Sequence, residues 1–152
     1  MLAWDRILCA VDFSEPSRLA MEAAADLACR CGSHLTLVHV HEAPTAATPE
    51  VLLAPPELFE ANAREKEQKL EQWRAQAQHL ATRPVNTLLL HGPAALQIVR
   101  AAQDDRADVV VIATRGRTGL KRVVLGSVAE HVMRTAPCPV LVVRSVREPE
   151  SK

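Results

Sequence analysis

Five short apolar runs limit what this chain can fold into. They cover residues 7–11, 35–40, 85–90, 109–113 and 140–143. Most are near-continuous rather than alternating, which is how strands read when both faces are covered, as in a parallel sheet. Helical patterns fill the gaps. After the first run, Leu19, Ala20, Ala23, Ala24, Leu27 and Ala28 recur on one helical face, with Ser14 as an N-cap, Pro16 in the first turn and Gly32 as the stop. A second helix over residues 57–80 is dense in Glu, Lys, Arg, Gln and Ala, with Glu65 and Lys69 at the favourable i, i+4 spacing. A third opens at Gly92-Pro93, and a fourth runs over residues 126–135 and stops before Pro137. Strict alternation of strand and helix predicts an open α/β fold with a parallel sheet, helices on both faces and right-handed crossovers.

A chain of 152 residues fits one domain that needs no disulfide or metal to fold. Residues 1–146 are read as that domain and 147–152 as a polar C-terminal tail. With two Phe, two Trp and no Tyr, the core must be aliphatic, and recognition of nucleic acid by ring stacking is disfavoured. Eighteen Lys and Arg balance eighteen Asp and Glu, which argues against bulk attraction to DNA, RNA or anionic membrane. No apolar run approaches the roughly 20 residues that span a bilayer. Asp5 and Arg6 interrupt any leader-like apolar stretch. Cys9, Cys29, Cys31 and Cys138 form no CxxC pair and read as reduced thiols of a cytoplasmic protein.

Open α/β sheets bind ligands beyond the carboxyl ends of their strands. The most informative such segment runs from Ala113 through Gly116 and Gly119 to Gly126-Ser127. It leaves a strand and enters a helix, whose N-terminus offers unpaired N–H groups and a positive dipole. It carries Arg115, Arg117, Lys121 and Arg122, and residues 109–129 contain no carboxylate. That composition suits phosphate. The spacing is neither G-x4-G-K-[ST] nor G-x-G-x-x-G after the first strand. Asp12, at the end of the first strand, can accept hydrogen bonds from a ribose or a base amino group; Ser14 alone can cap the following helix. His39 and His41 flank Val40 at the end of the second strand and read as structural rather than metal-binding. Glu130 and His131 are adjacent on a helix and form no dyad. No G-x-S-x-G elbow or HExxH motif is present, so no catalytic residue is assigned. Residues 41–56, with Pro44, Pro49, Pro55 and Pro56, read either as a lid over the ligand side or as an ordinary variable connection.

Taken together, these residues resemble the universal stress protein family over nearly the full length. The resemblance rests on the 6–14 segment ending in Asp12-Phe13-Ser14, on Leu37-Val38-His39-Val40, on Gly92-Pro93, and on Ala113 to Ser127 followed by the 137–143 segment. It implies an adenine-nucleotide α-hydrolase-like fold with strand order 3-2-1-4-5. It also implies a homodimer through the last strand, Val140–Val143, whose apolar free edge would need covering. The family's ATP-binding branch carries G-x2-G-x9-G-[ST]. Here Gly116, Gly126 and Ser127 match and Ala113 replaces the first glycine. By the same resemblance, Asp12 and the Val40 backbone contact the adenosine end, and Ala10 and Val11 line the base pocket. Gly116, Arg117, Gly126, Ser127 and Val128 hold ribose and phosphates, and Mg²⁺ or a similar hard cation could accompany a triphosphate. The expectation is an ATP-binding, dimeric sensor or regulator of stress response with at most slow hydrolysis. The competing reading, favoured by Ala113, is a family member that binds no nucleotide and works as an interaction scaffold. A pyrophosphatase or adenylating enzyme would need a further substrate domain.

Overall fold

The computed structural model of the chain describes residues 3–42, 49, 53–114 and 125–144. In chain order the elements are β1 (Arg6–Ala10), α1 (Glu15–Cys31), β2 (His34–His41), α2 (Pro56–Leu80), β3 (Val85–His91), α3 (Ala94–Asp104), β4 (Val109–Ala113), α4 (Ser127–Thr135) and β5 (Val140–Val143). The five strands form one sheet in the order β3-β2-β1-β4-β5, every neighbouring pair parallel. The expected topology is therefore the observed one. Each apolar run became a strand to within a residue or so at its ends, because a central parallel strand must be apolar on both faces.

Alternation along the strands divides the core in two. Ile7, Cys9, Leu35, Leu37, Val109 and Val111 face α1 and α2; Leu8, Val38, Val110 and Ile112 face α3 and α4. Ser14 accepts the N–H of Ser17 at 3.3 Å and caps α1, and Gly32 ends it at φ +66°, a left-handed position that glycine takes without strain. The stripe that α1 buries is shifted from the predicted one. Ser17, Ala20, Met21, Ala24, Ala25 and Ala28 are buried, while Leu19, Ala23 and Leu27 stand at its margins. The small side chains let the helix lie close to the sheet, and the larger Leu residues flank the seam. Only Leu70 and Ala77 of α2 are buried, as its charged composition implied. At the amino edge of the sheet the Asp108 carboxylate accepts the N–H groups of Asp5 and Arg6, each at 2.9 Å, and so fixes where β1 begins beside β4.

Candidate functional site

From β1 the chain crosses to β2 on one side, whereas β4 lies on the other. The strand order thus reverses between β1 and β4, and the crevice beyond their carboxyl ends is the switch point at which such sheets bind ligands. Ala10, Val11 and Asp12 leave β1 there, Ala113 and Thr114 leave β4, and Gly126, Ser127 and Val128 begin α4. Of the predicted binding residues, Gly116 and Arg117 lie outside the described residues, as do Arg115, Gly119, Lys121 and Arg122. Most of the 41–56 connection does too.

The turn after β1 is held from several directions. The Val11 N–H donates to the Val38 carbonyl at 2.8 Å. The Val11 carbonyl lies 2.8 Å from Nδ1 of the buried His39. A carbonyl only accepts, so His39 carries a proton on Nδ1. Phe13 follows at φ +64°, a conformation uncommon for a bulky side chain. Its ring stacks on His39 with centroids 4.3 Å apart, meets Trp73 edge-on at 5.4 Å, and lies under the Lys66 ammonium at 5.8 Å. Three packed partners thus keep the backbone in that region. Asp12 Oδ1 accepts both the N–H of Ser14, at 3.0 Å, and the Ser14 hydroxyl, and the Asp12 N–H donates to Ser17 Oγ at 3.2 Å. Ser14 therefore caps α1 as predicted, but Asp12 orients it. Among the described residues nothing donates to Asp12 Oδ2, which leaves one carboxylate oxygen of a half-buried side chain for a ligand.

Across the crevice, the Thr114 N–H donates to the Val143 carbonyl at 3.0 Å, and the Thr114 carbonyl accepts the Gly126 N–H at 2.6 Å. Gly126 is the N-cap of α4, extended at φ −61° and ψ 152°, and no side chain caps this helix. Its first N–H groups are therefore left for an anion or water. Ala113, which replaces the first motif glycine, ends β4 in an ordinary extended conformation. Among the described non-glycine residues only Phe13 and Arg106 have positive φ. Its methyl is buried in the α1-side core with Val11 and Val111. The alanine thus costs no backbone strain. Val40 is half-buried, pairs with Leu90 and packs on the opposite core, as does Val128.

His39 and Phe13 were not predicted as parts of the site. The sequence signal for His39 was its inward parity with Leu35 and Leu37 on β2. Two open grooves, of about 530 Å³ and 560 Å³, flank β3 and contain none of the predicted residues. Among the described residues no three His, Cys, Asp or Glu side chains converge on a metal position, and no helix is long and apolar enough to cross a membrane. Burial pushes the Cys9 thiol up to about 12. All four cysteines are free.

The open 3-2-1-4-5 sheet, shared with solved universal stress proteins, places the chain in the adenine-nucleotide α-hydrolase-like class. Within it, the chain belongs to the universal stress protein family, whose family model matches residues 3–144. A universal stress protein of Thermus aquaticus is 36% identical over 139 residues, covering 91% of this chain and 97% of that protein. The structure of universal stress protein UspA from Lactobacillus plantarum superposes with a TM-score of 0.82 at 27% identity, covering 93% of this chain and 98% of that one. Two more distant structures of the same fold were solved with nucleotides. One is a universal stress protein in complex with cAMP (18% identical, TM-score 0.72), the other a universal stress protein from Archaeoglobus fulgidus in complex with dAMP (22% identical, TM-score 0.67).

Proposed function

We propose that this protein binds an adenine nucleotide, ATP in the first instance, in the crevice between β1 and β4 and acts as a sensor or regulator rather than as a metabolic enzyme. The observation that carries the reading is the pairing across that crevice. Asp12 offers a free carboxylate oxygen on one side, and the uncapped start of α4 offers backbone N–H groups on the other. The carboxylate suits the hydroxyls of a ribose or the amino group of a base, and the helix start suits phosphate. That universal stress proteins of this fold were solved with cAMP and dAMP supports an adenine ligand. Gly116, Arg117, Gly126, Ser127 and Val128 are assigned to ribose and phosphates, and Ala10, Val11 and the Val40 backbone to the base side. Mg²⁺ or a similar hard cation would accompany a bound triphosphate, whose oxygens suit it. Residues 109–129 carry no carboxylate or histidine, and Asp12 is assigned to the ribose or base, which is the ground for expecting at most slow hydrolysis.

We further propose a cytoplasmic homodimer formed through β5. This edge strand leaves Leu141 38% exposed, and Met133 of α4 is 50% exposed. Leu141→Lys, measured by light scattering on a sizing column, is expected to yield monomer; an unchanged dimer places the interface elsewhere.

Isothermal titration with ATP, AMP and cAMP tests the nucleotide reading, together with mass spectrometry of small molecules that co-purify. One saturable site for at least one of the three supports it. Absence of binding at millimolar nucleotide overturns it. A turnover on the order of 10 s⁻¹, the median for enzymes, overturns the claim that the protein is not an enzyme.

A further inference from the structure

We infer that His41 and His91 form a two-histidine site for a borderline divalent cation, zinc, nickel or copper, on the sheet rim at the carboxyl ends of β2 and β3. The two residues are register partners at the last position of the β2–β3 ladder. By strand alternation both project on the face that carries His39 and Leu89. Their rings meet edge-to-face with centroids 5.7 Å apart. Two imidazoles on one tetrahedral zinc, bonded at about 2.0–2.1 Å, have ring centres about 5 Å apart. The ring separation is therefore close to that of a chelating pair, and side-chain rotations between allowed rotamers would turn one nitrogen of each ring toward a shared metal.

The backbone under the pair is already fixed. The His41 carbonyl accepts the Gly92 N–H at 3.2 Å, which closes the ladder immediately beyond His91. Gly92 turns away at φ +119°, with Gln97 Nε2 3.1 Å from where a β-carbon would lie. Glu42 is engaged elsewhere, its Oε1 accepting the Ala94 N–H at 2.9 Å. His39, although on the same face, is tied to Val11. The pair thus supplies two nitrogen ligands, His41 half-buried and His91 exposed, and water completes the coordination. Imidazole nitrogen selects zinc, copper and nickel over magnesium and calcium, which prefer oxygen. This site is therefore distinct in chemistry from any Mg²⁺ held by a bound triphosphate.

The test is zinc titration calorimetry on the untagged full chain without nucleotide, repeated for His41→Gln, His91→Gln and the double variant Cys29→Ser/Cys31→Ser. Far-UV circular dichroism serves as the folding check. One zinc per chain is expected for the wild type. Each histidine variant should lose about tenfold or more in affinity, at least the scale seen when a partner outside the ligand shell is lost. The cysteine variant should match the wild type, and magnesium should give no binding. Equal zinc affinity in wild type and both folded histidine variants overturns the proposal. So does the absence of zinc binding, or binding lost only with the cysteines. Because nucleotide is absent, none of these outcomes depends on the nucleotide reading.

Discussion

The Gly126 N–H donates to the Thr114 carbonyl at 2.6 Å, so the two residues that bracket the 115–125 segment meet at one point on the rim. Both ends are anchored independently of whatever lies between. Thr114 is bonded to Val143, and Gly126 starts α4, whose Glu130 N–H donates back to the Gly126 carbonyl at 2.9 Å. A change inside the segment should therefore alter ligand binding without unfolding the domain. Gly116→Val is expected to abolish ATP binding if, as proposed, the backbone at this glycine approaches the phosphates. Its far-UV spectrum and thermal midpoint should stay close to wild type. Calorimetry and a melting curve on the same sample check both. Retained affinity would place the phosphates elsewhere.

Ala113 offers a reversal experiment. Restoring the motif glycine removes a buried methyl from the α1-side core and adds backbone freedom to the unfolded chain. Gly within a strand costs roughly 0.5–1 kcal/mol relative to Ala, and about 1 kcal/mol lowers the midpoint of a domain this size by about 2–4 °C. Ala113→Gly should therefore melt lower than the wild type while binding ATP no more tightly, because position 113 has no positive φ for glycine to relieve. A clear gain in affinity would show that the methyl crowds the ligand.

The fold was legible in the sequence because the central strands needed two apolar faces and every α1 or α4 boundary carried its own punctuation. Gly32 and Pro137 are examples. The acidic turn was legible only in part. Ser14 announced a cap, but nothing local announced that Asp12 would orient it, or that His39 would reach the Val11 carbonyl from the neighbouring strand. Such contacts depend on which strands become neighbours and in what register. The same holds for His41 and His91, which are fifty residues apart in sequence and opposite one another in the sheet. Paired with His39, His41 read as a structural strand-end residue; next to His91 it reads differently.

Phe13 gives a test of how firmly that turn is held. Its left-handed backbone costs a residue with a β-carbon about 1–2 kcal/mol, a cost offset here by the stack on His39 and the edge contact with Trp73. Phe13→Ala and Phe13→Gly both lose the ring, and only the glycine relieves the backbone. Phe13→Gly should therefore be the more stable of the two by about 1 kcal/mol, the reverse of the order at ordinary strand or helix positions. Urea unfolding of the two variants measures this difference directly. An alanine variant as stable as the glycine one would mean that the turn relaxes once the ring is gone.

Burial of the Cys9 thiol makes the domain less stable as pH rises into the alkaline range. It is fully buried on β1, and burial raises its thiol from 9.0 to about 12. The folded state therefore holds the proton more tightly than the unfolded chain does. This contribution to stability is complete below about pH 9, is lost progressively as the unfolded thiol ionises, and is gone once pH passes the folded value. Across that window it amounts to on the order of 1 kcal/mol per pH unit. Cys9→Val keeps an apolar side chain of similar size in a strand and removes the titrating group. Urea midpoints of the two proteins should then lie close together at neutral pH and separate by about pH 10.5, with the wild type falling further. Cys29, Cys31 and Cys138 are common to both proteins, so their contributions cancel in the comparison. Parallel curves across the alkaline range would show that the Cys9 thiol ionises as readily in the folded protein as in the unfolded one.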